Sequence, residues 1–221
     1  MRFFFGVKQE TVPMKHLNLR LYLVTDEACL RHRNLFDAVE EALRAGVTLV
    51  QYREKNGPGK TMLEKAKALC KLCHRYQVPF IVNDRLDIAL LSGADGVHLG
   101  QTDIPVAEAR KLAGSDFIIG ATAHNVQEAL AAEAAGADYL GCGAVFATTT
   151  KPDTVPLGLE GLCAIRQAVR TPIVGIAGVT ERNYRQVLET GADGAAVVSA
   201  ILGAADITAA VKAFLASATA N

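Results

Sequence analysis

Gly93-Ala94-Asp95-Gly96-Val97-His98-Leu99 contains the junction that decides the fold. A glycine ends a helix in a left-handed conformation with little steric penalty, and a short apolar run then starts a strand. The same junction returns as Gly136-Ala137-Asp138-Tyr139 and as Gly191-Ala192-Asp193-Gly194, and in shortened form as Ala45-Gly46-Val47. A junction that repeats implies a repeating unit of helix, turn and strand.

Working outward from these junctions, short apolar runs predict strands at 21–25, 48–51, 80–83, 96–99, 117–121, 139–141, 173–176 and 195–199. Runs apolar along their whole length suit strands buried on both faces. Helical periodicity falls between them, at 35–45, 60–76, 87–91, 106–112, 126–135, 159–169, 181–189 and 207–217. Eight such units with no break in composition predict one α/β domain, a single (β/α)8 TIM barrel over 14–221. An open, doubly wound sheet would carry Gly-x-Gly-x-x-Gly after its first strand, where this chain has Thr25-Asp26-Glu27-Ala28. Residues 1–13, with the apolar Phe3–Phe5, are expected to be a weakly ordered, non-catalytic N-terminal extension, and Met14 is an alternative start.

The chain has 221 residues, 50% of them apolar, enough for one substantial core. Lys plus Arg and Asp plus Glu balance at 23 each, so charge gives no reason to expect nucleic acid or an anionic membrane as partner. No apolar run reaches spanning length, and the N-terminus lacks a signal-peptide core. An odd number of irregularly spaced cysteines points to a reducing, cytoplasmic compartment. Cys70 and Cys73 lie in a strongly helical stretch with no second ligand pair, which favours packing over redox or metal chemistry. A homo-oligomer is compatible with all of this.

Barrel enzymes place their chemistry at the C-terminal ends of the strands. The second strand ends in Gln51-Tyr52-Arg53-Glu54-Lys55, where alternation puts Gln51, Arg53 and Lys55 on one face. That face is either the barrel mouth or a solvated loop start. The third ends in Asn83-Asp84-Arg85, three polar groups of which helix capping explains one. Asp84 and Asp103 come from adjacent strand ends, as a Mg²⁺ pair or as two separate caps. His98 alternates with apolar neighbours and reads equally as a hydrogen-bonded core histidine. Thr122 and His124 follow the fifth strand, where Thr122 or Asn125 also suits a helix cap. A long connection after the sixth strand carries Thr148, Thr149, Thr150 and Lys151, a set suited to an anion. Gly175–Val179 and Val197–Ala200 sit where barrels bind phosphate through backbone N–H groups, or simply make tight turns. Together these groups give one diphosphate site and one monophosphate site, without a nucleophile–base triad. Departure of a diphosphate needs stabilised negative charge rather than a covalent nucleophile.

In order along the chain, Gln51–Lys55, Asn83-Asp84-Arg85, Gly96–Asp103, Thr148–Lys151, Gly175–Val179 and Gly194–Ile201 resemble the thiamine-phosphate synthase family, from about Leu21 to the last helix. The resemblance implies a (β/α)8 transferase of thiamine biosynthesis. It would condense 4-amino-2-methyl-5-(diphosphooxymethyl)pyrimidine with a thiazole phosphate, giving thiamine phosphate and diphosphate. It implies pyrimidine-diphosphate contacts from Gln51, Arg53, Lys55, Asn83, Thr122 and Lys151, with Arg53, Lys55 and Lys151 as the catalytic cations. Asp84 and Asp103 match Mg²⁺ ligands. Thr148, Thr150, Gly178, Val198 and Ser199 match thiazole-phosphate contacts. Thr122 stands where the family usually has Ser, and Ala177 where it usually has a second glycine. The alternatives are a thiazole tautomerase of the same pathway, with His124 as acid–base, and a non-catalytic barrel that binds a phosphorylated metabolite.

Overall fold

The computed structural model describes residues 17–148 and 156–218. Residues 1–13 and Met14, on which the expected domain boundary turned, lie outside them. Eight parallel strands follow one another around a closed barrel: β1 (Leu21–Val24), β2 (Leu49–Tyr52), β3 (Phe80–Asn83), β4 (Gly96–Leu99), β5 (Ile118–Ala123), β6 (Tyr139–Cys142), β7 (Ile173–Ile176) and β8 (Gly194–Val197). The helices alternating with them are α1 (Leu35–Ala45), α2 (Gly59–Arg75), α3 (Leu86–Ser92), α4 (Val106–Ala113), α5 (Val126–Ala134), α6 (Gly158–Ala168) and α7 (Tyr184–Glu189). A short α8 (Ser199–Leu202) and then α9 (Ile207–Ser217) follow β8. Leu21 lies opposite Ala195 where β1 and β8 close the ring. The expected junction forms as predicted: Gly93 ends α3 at φ 76° and gives its N–H to Ala89.

Where strand ends differ from expectation, the pairing gives the reason. β5 runs on to Ala123 because Thr122 and Ala123 still pair with Gly141 and Cys142 of β6. β8 stops at Val197 rather than at 199, since Val198 turns to φ −116°, ψ −88° and Ser199 opens α8. The helix expected from 181 begins at Tyr184. Before it, the Asn183 side chain accepts from Thr180 N and donates to the Gly178 carbonyl, which ties 180–183 into a turn.

Strand alternation sorts the core into two layers. Leu21, Leu23, Val50, Tyr52, Phe80 and Val82 point outward and pack under the helices. Tyr22, Val24, Leu49, Ile81, Tyr139 and Val174 fill the barrel interior. The apolar faces of α1 and α9 meet this outer layer through Val39, Ala42, Val211 and Phe214, all fully buried.

At the N-terminal end of the barrel, the repeated Asp of the junction closes a small ring of hydrogen bonds. Phe80 N donates to Asp95 Oδ2 at 2.7 Å while Asp95 N donates to Phe80 O at 2.9 Å. Ile119 with Asp138 and Ile173 with Asp193 repeat the exchange, and Thr48 Oγ1 accepts from Leu21 N in the first pair of strands. The three carboxylates also meet His74 of α2, Arg110 of α4 and Arg166 of α6. The clamp therefore recurs every second strand. Cys70 and Cys73 are buried and free, and Cys70 Sγ donates to Gly93 O, so the Cys-x-x-Cys packs α2 on this floor. No helix among the described residues is long and apolar enough to cross a membrane.

Candidate active site

The C-terminal end of the barrel opens into a cavity of about 590 Å³. Alternation along β2 carries through its end: Gln51, Arg53 and Lys55 line the cavity, whereas Tyr52 is buried in the outer core. Arg53 is held from two sides. Its backbone N–H meets Thr25 Oγ1, and its guanidinium donates to Asp26 Oδ2 at 2.9 Å. Asp26, which sequence reasoning left aside, also caps the turn Glu27–Cys29.

Asn83 and Asp84 reach the cavity from β3, and Asp103 reaches it from the loop after β4. Arg85 does not; it turns outward to pair with Asp87. Neither carboxylate is a simple helix cap. Arg85 precedes α3 and Pro105 precedes α4, while Asp103 Oδ2 accepts from Gly100 N at 2.6 Å within its own loop. Asp84 adopts φ 61°, a left-handed conformation that costs a non-glycine residue about 1 kcal/mol. Burial, and then the neighbouring Asp103 carboxyl, push its pKa up to about 6, against the opposing pull of Lys55 and Arg53. Asp84 is thus held beside a second carboxyl in a half-buried place where neither repulsion nor desolvation favours its charge.

His98 and Thr122 lie on the cavity floor. The His98 ring is hydrogen-bonded on both sides, to Tyr139 Oη and Thr122 Oγ1, each at 3.0 Å. Burial lowers its pKa to about 4, so it is neutral near pH 7. The cap of α5 is Asn125, whose Oδ1 accepts from Glu128 N, leaving Thr122 to the cavity. His124 lines the mouth beside it and is fixed by Glu128, with Nδ1 to Oε2 at 2.9 Å.

Across the ring, the ends of β7 and β8 supply Ala177, Gly178, Val198 and Ser199. Ala177 and Gly178 both have left-handed backbones, at φ 78° and 66°. Gly178 packs against the loop after β6: a Cβ there would stand 2.4 Å from Ala147 O and 2.7 Å from Phe146 Cβ. Backbone pairing from Val145 N to Ile176 O and from Phe146 N to Ala177 O fixes that loop alongside. Thr148 lines the same cavity, whereas Thr149, Thr150 and Lys151 lie outside the described residues. Ser199 and Ala200, which open the short α8, line the cavity, while the Ile201 and Leu202 N–H groups behind them are already taken by Val198 O.

A family model described as thiamine monophosphate synthase matches residues 21–201 of the chain. The chain is 50% identical over 194 residues to a thiamine-phosphate synthase of Clostridium acetobutylicum, covering 88% of this chain and 92% of that one. It is 53% identical over 194 residues to one of Chloroflexus aurantiacus, covering 87% and 89%. Among solved structures it resembles a thiamine phosphate pyrophosphorylase from Pyrococcus furiosus, with TM-score 0.85, 43% identity, and 91% and 96% of the two chains covered.

Proposed function

The chain belongs to the thiamine monophosphate synthase family, and from that premise we propose that it joins an aminopyrimidine diphosphate to a thiazole phosphate, forming thiamine phosphate and releasing diphosphate. One observation carries the reading. A single cavity has cations and a carboxylate pair on the β2–β4 side and a close-approach backbone loop on the β7–β8 side. Two anionic groups therefore have separate places around one reaction volume.

In this reading Arg53 and Lys55 bind the diphosphate, with Lys151 from the loop after β6 assigned there by sequence. Gln51 and Asn83 hold the pyrimidine ring, and Thr122 gives a hydroxyl to the diphosphate side. Gly178, Val198 and Ser199 cradle the thiazole phosphate, with Thr148 beside it and Thr150 assigned there by sequence. Asp84 and Asp103 suit Mg²⁺, a hard cation that takes few carboxylates and leaves positions for water and phosphate oxygens. The raised pKa of Asp84 supports this, because paired carboxylates in a half-buried place favour a divalent positive charge. Bound there, Mg²⁺ supplies charge that offsets the negative charge of the departing diphosphate. The carbon–oxygen bond to diphosphate breaks, leaving a pyrimidinylmethyl cation that the ring amino group stabilises, and the thiazole nitrogen attacks that carbon. The chain's own contribution is to orient two rings and to surround the leaving group with fixed cations.

A tautomerase that isomerises the thiazole phosphate is the second reading, favoured by the His124–Glu128 contact in the mouth. Purified protein supplied with both substrates and Mg²⁺ is expected to make thiamine phosphate, and EDTA to stop it. Lys151→Ala is expected to lower the coupled rate far more than His124→Ala. The opposite order would favour the tautomerase.

A further inference from the structure

Five polar side chains cross the barrel beneath the cavity in one line. Gln51 Nε2 meets Tyr22 Oη at 2.5 Å, Tyr22 Oη meets Tyr139 Oη at 2.7 Å, Tyr139 Oη meets His98 Nδ1 at 3.0 Å, and His98 Nε2 meets Thr122 Oγ1 at 3.0 Å. The middle three are buried. Space for them is built in, since a Cβ at Gly120 would lie 2.1 Å from the Tyr139 ring.

Each phenol has one hydrogen to give. An amide nitrogen only donates, so Tyr22 accepts from Gln51 and must donate to Tyr139. Tyr139, having accepted, must donate to His98 Nδ1. The imidazole then carries its hydrogen on Nε2 and gives it to Thr122, whose own hydrogen is left for the cavity. Any break in this sequence leaves a buried hydroxyl hydrogen without an acceptor, a costly state. Reversing one link requires reversing all, including the Gln51 amide. The reversed line would turn the lone pairs of Thr122 toward the cavity, where an anionic oxygen would be repelled.

We propose that Tyr22, Tyr139 and His98 are positioning residues that form one polarised relay. It sets the Gln51 carbonyl as an acceptor for the exocyclic amino group of the ring and the Thr122 hydroxyl as a donor to the diphosphate. The inference rests on the aminopyrimidine-diphosphate reading above. Burial keeps His98 neutral and both phenols protonated, so the relay has fixed hydrogens over the working pH range. Its consequence is that the two ends of one substrate are read together: an amide turned the wrong way at Gln51 also withdraws the donor at Thr122.

Two measurements decide it. In ligand-free protein labelled with ¹⁵N-histidine, the His98 signals, identified by their loss in His98→Gln, should show a protonated Nε2 and an unprotonated Nδ1. The opposite tautomer, or a mixture, overturns the polarity. Tyr22→Phe releases the Gln51 amide but leaves Tyr139 free to donate to His98. Its affinity for the pyrimidine diphosphate should fall about tenfold, while that for inorganic diphosphate with Mg²⁺ stays as in wild type. An equal loss for both ligands marks general damage to the barrel and overturns the relay, as does no loss for either. Wild-type protein that binds inorganic diphosphate but not the pyrimidine compound overturns the functional reading instead, whatever the tautomer.

Discussion

Asp84 and Asp138 are the same residue at opposite ends of the same barrel. Asp138, at the N-terminal end, accepts a backbone N–H, returns one of its own, and meets Arg110. Asp84, at the C-terminal end, sits on a left-handed backbone next to a second carboxyl, with its pKa raised. The N-terminal end satisfies its charges internally and so contributes to stability. The C-terminal end holds unfavourable charge ready for a ligand and so gives up stability. Barrels in general divide in this way, with chemistry on one face and support on the other.

The largest effect is expected at the carboxylate pair, Asp84 and Asp103. Asp84→Asn or Asp103→Ala is expected to lower turnover by roughly a hundredfold or more, with loss of Mg²⁺ dependence in steady-state assays. If both variants kept the wild-type metal requirement, the pair would not be the metal site. Next in size is Gly178→Val. A side chain there meets the loop after β6 rather than only the phosphate, on a backbone that disfavours β-branched residues. The thiazole-phosphate KM should rise by about tenfold or more, with the pyrimidine-diphosphate KM nearly constant. A shift confined to the pyrimidine diphosphate would place the substrates the other way round.

The opposite end should behave in reverse. Asp138→Ala leaves Ile119 N without its acceptor, while Arg110 keeps the carbonyls of Phe117 and Gly136, and is expected to cost about 2 kcal/mol by urea denaturation, with kcat within twofold of wild type. Lost activity in a folded Asp138→Ala protein would contradict the division. Smaller still is the effect of Asp84→Asn on stability. It removes a carboxylate whose folded pKa, about 6, lies above its ordinary value of 3.8. That penalty is full above pH 6 and vanishes below about pH 4, because both states are then protonated. The ligand-free variant should therefore be more stable than wild type by roughly 1 kcal/mol at pH 7, after allowance for solvent screening, and equal to it at pH 3.5. Thermal melts at the two pH values test this. The smallest effect belongs to Ala177→Gly, which relieves a left-handed alanine at φ 78°. It should add up to about 1 kcal/mol of stability and change the thiazole-phosphate KM less than threefold.

The barrel was legible because its signals are local. β3, β4 and β7 fall where their apolar runs predict, and the glycine junctions mark the helix ends. The face shared by Gln51, Arg53 and Lys55 was legible for the same reason, since alternation is a property of one strand. The floor relay was not, because its links join residues 29, 117, 41 and 24 positions apart. Its trace in the sequence is weak: polar or phenolic residues at interior positions of β1, β4 and β6, with small residues opposite. Asp26 was missed because its effect lies in orienting Arg53 rather than in facing the cavity. The left-handed backbone of Ala177 leaves no mark in its residue type, and that of Asp84 only a faint one, since aspartate visits this region more often than most residues but far less distinctively than glycine.

The seam between β1 and β8 has a consequence for how the chain comes off the ribosome. Leu21 finds Ala195 only after nearly the whole sequence has been made. Until then β1 carries a bare edge of backbone donors and acceptors, and any chain that stops before Gly194 leaves β7 bare as well. Such edges invite pairing with other chains, and contacts this distant in sequence form late. Truncated or stalled chains should therefore aggregate rather than wait as partial barrels. Completion of the last strand is the event that makes the molecule safe in a crowded cell.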